Sequence, residues 1–195
     1  LESALADAGV DAASIGLVEA HGTGTRAGDP VELGALAAVL GRQRPPGNKA
    51  LVGSVKTNIG HTEGAAGVAG IIKVALSLHH GAIPPSLHFE QPNPAIPWQD
   101  IPLQVPTALV PWPRGAVPRL AAVNAFGIGG TNAHAVLEEA PTAIAMREAI
   151  AGPSPNLLAA QHHVLPLSAE SAEALAQRAR DVSGLLTRRQ ACGDD

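Results

Sequence analysis

The sequence is poor in the side chains that many functions depend on. Its single cysteine, Cys192, rules out a disulfide within the chain. It has no Tyr, two Phe and two Trp, so the core must come from Ala, Val, Leu, Ile and Gly. Cores of small residues close by near approach of helices and sheets rather than by aromatic filling. With 13 Lys plus Arg, a net charge of -4 and no basic run, nucleic-acid binding has nothing to start from. The longest apolar run, Val68 to Leu78, is interrupted by Lys73 and falls short of a membrane span. No secretory leader pattern is present, and Leu1-Glu2-Ser3-Ala4-Leu5 reads as the inside of a helix without an initiator Met. The expectation is a cytoplasmic fragment.

What is present is enough for a real core: 195 residues, 46% of them hydrophobic, for one domain or one domain and part of another. Leu1 to Ala8 reads as a helix stopped by Gly9. Ile15 to Ala20 is a short apolar strand leading into the glycine-rich loop His21 to Gly28. Asp29-Pro30-Val31-Glu32 reads as a capping box, with Asp29 as N-cap, ahead of a helix to about Leu40. Ala50 to Gly53 predicts a second strand, which ends in the polar loop of Lys56 and His61. A helix follows from about Gly64 to His80, with Lys73 its only ionised residue before His79. Gly64, Gly67 and Gly70 make a bare stripe on it against which another backbone can pack.

The prolines between Pro84 and Pro113 forbid helix and leave room for one short edge strand, Leu103 to Val105. Leu120 to Asn124 and Ala133 to Leu137 predict two more strands around the glycine loop Ala125 to Asn132. Residues 142–162 read as a linker. Val164 to Leu167, Ser168 as N-cap and an amphipathic helix to Leu186 read as the truncated start of a further small α/β unit over 163–195. Strands alternating with helices place the chain in the α/β class.

In α/β folds, polar loops at strand ends converge on one crevice. Three such loops stand out: one with His21, one with Lys56 and His61, one with Asn124 and Phe126. A lone His is more often a hydrogen-bonded core or surface group than a catalyst. Two of them with a Lys, all on glycine-punctuated loops, favour chemistry, because burial shifts the pKa of imidazole and ammonium alike. Metal binding is disfavoured, since His21 and His61 lack the short paired spacing of zinc sites. Dinucleotide binding is disfavoured too. The glycine spacing misses the fingerprint, Asp29 would repel a phosphate at the helix start, and Asn48 stands about 20 residues on, where an acid belongs. His134 has no partner evident in the sequence, and Cys192 follows no strand or elbow.

Three motifs carry a resemblance: Val18 to Thr25 continuing through Gly28 to Glu32, Ser54 to His61, and Asn124 to His134. In order and spacing they resemble the β-ketoacyl synthases, with the ketosynthase domains of modular type I polyketide synthases closest in character. The resemblance covers about Leu1 to Pro141 and implies the C-terminal half of a layered αβαβα, thiolase-like fold. It further implies decarboxylative Claisen condensation of an acyl thioester with malonyl- or methylmalonyl-carrier protein. In that family the nucleophilic cysteine belongs to the N-terminal half, so this chain by itself is expected to be inactive.

Carried over residue by residue, His21 and His61 are the catalytic histidines, Lys56 orders the site and Glu32 is its carboxylate partner. For Glu32 the capping role competes evenly with that one. Thr23 and Thr25 hold the pantetheine arm, and Phe126, Gly127, Ile128 and Gly129 form the gating loop, with the Ile128 N–H as an oxyanion donor. No cofactor or metal is expected, since the acyl groups ride on the phosphopantetheine of an acyl carrier protein. The implied partners are that carrier, the N-terminal half and a second copy in a homodimer. Two alternatives stay open: an inactive partner subunit, or a decarboxylating loading ketosynthase. Carrier binding by a stand-alone module would not need His21, Lys56 and His61 together.

Overall fold

In a computed structural model, residues 1–141 and 167–192 are described. The chain divides into two compact units, Leu1–Pro141 and Thr142–Asp195. The first holds α1 (Glu2–Ala8), β1 (Ile15–Glu19), α2 (Gly28–Leu40), β2 (Ala50–Gly53), α3 (Lys56–Ile59) and α4 (Ala66–His80). It continues through β3 (Ala82–Ile83), β4 (Leu103–Gln104), β5 (Val110–Pro111), β6 (Leu120–Phe126) and β7 (Asn132–Glu138).

Five strands form one sheet in the order β4-β2-β1-β6-β7. β4, β2, β1 and β6 run parallel, while β7 returns antiparallel along β6. β3 and β5 make a separate two-stranded ladder. The predicted edge strand is therefore real but shorter, Leu103–Gln104, and β3 and β5 are additions within the proline-rich region and just before it.

The sheet is covered on both faces, which is why its inner strands are apolar on both sides. One core gathers Ile15, Val18, Leu33, Leu36, Leu40, Val52, Leu103 and Ala122. The other gathers Leu17, Val74, Leu78, Ile83, Ala121 and Val123 under α4. Each fully buried Leu, Ile or Val among them stabilises the fold by roughly 1.5–3 kcal/mol. A register shift between Ile15 and Leu17 in β1 puts Ile15 on the same face as Val18.

Helix α4 comes unusually close to the sheet. A Cβ on Gly67 would stand 3.2 Å from Ala125 Cβ, and one on Gly70 would stand 3.0 Å from Glu19 Cγ. Two of the three glycines in the bare stripe thus serve packing, whereas Gly64 faces open space. The helix also starts later than its sequence suggests. Glu63–Ala65 form a 3-10 turn, Glu63 having φ 48°, before α4 begins at Ala66. Gly81, at φ 63°, ends it in the left-handed conformation that glycine adopts most easily. Buried Arg119, ion-paired to Glu139 at 2.5 Å, donates to the Leu78 carbonyl and so satisfies part of the helix end.

Only one face of α4 is buried. Val68, Ile71, Ile72 and Leu76 are exposed, as is Ile59 on α3. In the second unit, α5 (Ala172–Cys192) begins with Ser171, whose hydroxyl accepts the Ala174 N–H. Ser171 replaces Ser168 as the capping side chain; the Ser168 carbonyl instead accepts from Arg178. The expected linker and Val164 to Pro166 of the expected strand lie outside the described residues. Among the described residues no helix is long and apolar enough to cross a membrane.

Candidate active site

Parallel pairing places the C-terminal ends of β1, β2 and β6 along one edge of the sheet. His21 follows β1, Lys56 opens α3 just after β2, and Phe126 ends β6. The polar loop after β2 is thus partly a helical turn, Lys56–Ile59. His61 follows it, and its ring meets that of His21 edge-on at 5.2 Å between centroids. Phe126 flanks His21 at 5.5 Å.

Backbone donors decide the state of both imidazoles. The Phe126 N–H donates to His21 Nδ1 at 3.3 Å, and the Glu63 N–H donates to His61 Nδ1 at 2.9 Å. A nitrogen that accepts carries no proton, so in each neutral ring the proton resides on Nε2. Burial pushes the pKa of His21 down and nearby Lys56 pushes it further, which keeps that ring neutral. The result is a pair of adjacent rings, each with an Nε2–H donor.

Glu32 is where the structure departs most from its sequence reading. Helix α2 begins at Gly28 with Ala27 as N-cap, and no capping box forms. The Thr25 hydroxyl accepts the Gly28 N–H instead, and Asp29 accepts the Gly24 N–H. Glu32, 7% exposed, turns inward. Its Oε1 accepts the His21 N–H at 2.7 Å and Asn124 Nδ2 at 2.8 Å, while Oε2 accepts the Gly22 N–H at 2.9 Å. Gly22 suits this turn: its φ is 49°, and a Cβ there would stand 2.7 Å from Ser54 Cβ. Glu32 makes no ion pair with Lys56; its two oxygens accept these three N–H donors.

Lys56 is half-buried. Burial lowers its pKa, opposed first by Glu19 and then by Glu32. The sequence presents Glu19 only as part of an apolar strand. In the fold it is 2% exposed, pairs with Lys73 at 2.6 Å and accepts the Val55 N–H at 2.5 Å. A detectable signal existed: a single acid in an apolar strand and a single Lys in an uncharged helix, neither with a neighbour to pair with. His134 also acquires a partner, with Nδ1 2.6 Å from Asn124 Oδ1.

Thr23 and Thr25 are exposed, with hydroxyls 3.3 Å apart at the rim of this edge. Gly127, Ile128 and Gly129 form the β6–β7 turn, closed by the Gly127 N–H on the Thr131 carbonyl at 2.8 Å. The Ile128 side chain is fully exposed at its tip. Beside the His21 loop a cleft of about 790 Å³ runs between Gly22, Asp29 and Ser54 on one side and Phe89, Asn93 and Trp98 on the other.

Comparison with known proteins gives the family of the chain. Residues 1–90 match the β-ketoacyl synthase C-terminal domain, and residues 92–192 match the ketoacyl-synthetase C-terminal extension. The chain therefore belongs to the β-ketoacyl synthase family and carries its C-terminal domain with the extension.

Among individual relatives, it is 46% identical to the erythronolide synthase EryA2 of Saccharopolyspora erythraea, over 95% of this chain and 5% of that protein. It is 45% identical to the polyketide synthase GfsB of Streptomyces halstedii, over 92% of this chain and 3% of that one. Ketosynthase twelve of the bacillaene polyketide synthase of Bacillus amyloliquefaciens superposes with a TM-score of 0.68 at 42% identity, over 72% of this chain and 25% of that chain. The module 6 ketosynthase of the Bacillus subtilis bacillaene synthase gives 0.66 at 45% identity, over 70% of this chain and 25% of that chain. These relatives make the fold thiolase-like. The chain thus spans a few per cent of the curated relatives' length and about a quarter of the solved ketosynthases.

Proposed function

We infer that this chain supplies the decarboxylation and condensation half of a polyketide ketosynthase site. The observation that carries this reading is the pair of adjacent imidazoles, each held by a backbone N–H on Nδ1 so that Nε2–H is free to donate. The substrate is a malonyl or methylmalonyl thioester on the phosphopantetheine of a carrier protein. Its carbon–carboxylate bond breaks, CO2 leaves, and the electron pair moves onto the thioester oxygen as an enolate. His21 and His61 donate to that oxygen, and a donor of this kind is worth roughly 3 kcal/mol in the transition state. The enolate carbon then attacks an acyl thioester on a cysteine, and the cysteine sulfur departs.

That cysteine comes from the N-terminal half of the ketosynthase, and the apolar face of α4, with Val68, Ile71, Ile72 and Leu76 exposed, supports such a partner. The bare stripe of Gly67 and Gly70 on the opposite side of α4 fits a helix in a central layer. Lys56 contributes positive potential beside the rings, and Glu32 anchors the His21 loop. Thr23 and Thr25 hold the pantetheine arm through hydroxyls that both donate and accept. The Phe126 to Gly129 turn gates the site, with the Ile128 N–H as a further oxyanion donor. The assembled enzyme is a cytoplasmic homodimer that needs no cofactor of its own.

The test is His61→Ala in the intact synthase. Acyl loading of the cysteine should persist, while CO2 release and the β-ketoacyl product fall at least a hundredfold, as for loss of an oxyanion donor. Normal product formation would overturn the role. Wild-type CO2 release without any condensation would move the chain to the decarboxylating loading class.

A further inference from the structure

The β6–β7 register sets His134 directly across from Asn124. Asn124 is 3% exposed, and its two polar atoms have unlike partners. Toward α2 it meets Glu32 Oε1 at 2.8 Å, and toward β7 it meets His134 Nδ1 at 2.6 Å. An ionised carboxylate only accepts, so the amide NH2 must face Glu32 and the amide oxygen must face His134. The His134 Nδ1 therefore carries the proton and donates it to Asn124. The other ring nitrogen, Nε2, is then a bare acceptor, buried and without a hydrogen-bond partner among the described residues.

An orphaned buried nitrogen costs free energy that an apolar side chain at the same place would not. Packing alone is thus a poor reason for a histidine here. Burial lowers the pKa of the ring to about 4, in keeping with a neutral donor.

We propose that His134 is a positioning residue for His21, acting through the Asn124 carboxamide and the Glu32 carboxylate. The inference rests on the reading of His21 given above. The chain of contacts is continuous: His134 locks the amide of Asn124, and Asn124 locks Glu32 Oε1. That oxygen accepts the His21 N–H, while Oε2 accepts that of Gly22. Two residues along β6, the Phe126 N–H holds His21 Nδ1. The hairpin thus grips His21 at its backbone from one position and at its ring from another. Without the Nδ1–H donor the Asn124 amide is free to rotate, which turns an oxygen toward the Glu32 carboxylate and loosens the backbone beneath His21.

The experiment compares His134→Leu, His134→Asn and His134→Gln in the intact ketosynthase, following CO2 release from malonyl-carrier protein and, separately, acyl loading. Asn places an N–H donor near the position of Nδ1, whereas Gln reaches toward that of Nε2. His134→Leu and His134→Gln should lower kcat for CO2 release about tenfold with KM and acyl loading little changed, the size expected for one buried hydrogen bond. His134→Asn should restore kcat to within about twofold, on the same reasoning. Equal kcat in the Asn and Gln variants would overturn the proposal even if the Leu variant failed to fold. Losses that follow melting temperature in all three would overturn it as well, by making the role structural. Absence of CO2 release in the wild type would sink the functional reading and this inference with it; a working wild type with indifferent variants sinks this inference alone.

Discussion

Two buried carboxylates anchor the two histidine loops, and they are satisfied in opposite ways. Glu19, at the end of β1, is matched to a cation: Lys73 reaches it from α4 at 2.6 Å while the Val55 N–H takes the other oxygen. It thereby ties the loop of Lys56 and His61 to the sheet. Glu32, on α2, has no cation within ion-pair reach among the described residues and takes three N–H donors instead, from His21, Gly22 and Asn124. It ties down the loop of His21.

The difference matters for chemistry. A cation beside Glu32 would lie beneath His21 and add to the field that already lowers its pKa, whereas neutral amides stabilise the carboxylate by hydrogen bonding alone. A cation beside Glu19 is tolerated because it stays on the α4 side of the sheet. Even so, burial outweighs Lys73 and raises the pKa of Glu19.

Removing the cation should break the comparison most sharply. Lys73→Met leaves Glu19 buried with a single N–H donor, and the loss of one partner of such a pair costs about 3–5 kcal/mol. Urea unfolding of the assembled ketosynthase would read this as a lower midpoint. A loss below about 1 kcal/mol would mean that Lys73 behaves as an exposed partner.

Glu32→Gln should cost less, about 1–3 kcal/mol, because it turns one acceptor into a donor facing N–H groups while keeping the volume. Its signature should be a fall in CO2 release larger than the fall in stability, since the site it loosens carries His21. Parallel losses would make Glu32 an anchor of the fold only.

The last effect, no larger than that of Glu32→Gln, concerns pH. His134 has a folded pKa of about 4, against about 6.5 unfolded. The unfolded chain therefore takes up a proton first, and the stability this ring contributes above pH 6.5 is lost as pH falls towards 4. Glu19 and Asp29, whose pKa values are raised by burial, act in the opposite sense, so the slope must be read as a difference. The stability gap between wild type and His134→Leu should shift by about 2 kcal/mol in favour of the variant between pH 7 and pH 4.5. A gap independent of pH would mean that the ring titrates alike in the folded and unfolded chain.

Much of this was legible in the sequence because local physics settles it. The strand pattern of Ile15 to Glu19, the stop at Gly9 and the proline ban on helix between Pro84 and Pro113 all follow from side-chain period and backbone restriction. The grouping of His21, Lys56, His61 and Phe126 was legible too, since parallel strands bring their C-terminal ends to one edge.

Glu32 was not legible, because acids three residues past an Asp near a helix start look alike whether they cap the helix or turn inward. Only the placement of the His21 loop and β6 against α2 decides, and Asn124 lies 92 residues away. The partner of His134 was hidden for a similar reason. A strand pattern tells which residues alternate, but the register of the β6–β7 hairpin decides which pair faces which. The tautomers of His21 and His61 rest on backbone N–H groups from Phe126 and Glu63, whose directions depend on the fold around them. By itself the sequence determined the main helices and strands, the family and the residues gathered at the edge. The tertiary structure alone decided how the buried carboxylates are satisfied and which nitrogen of each ring is free, because both depend on donors supplied from other elements.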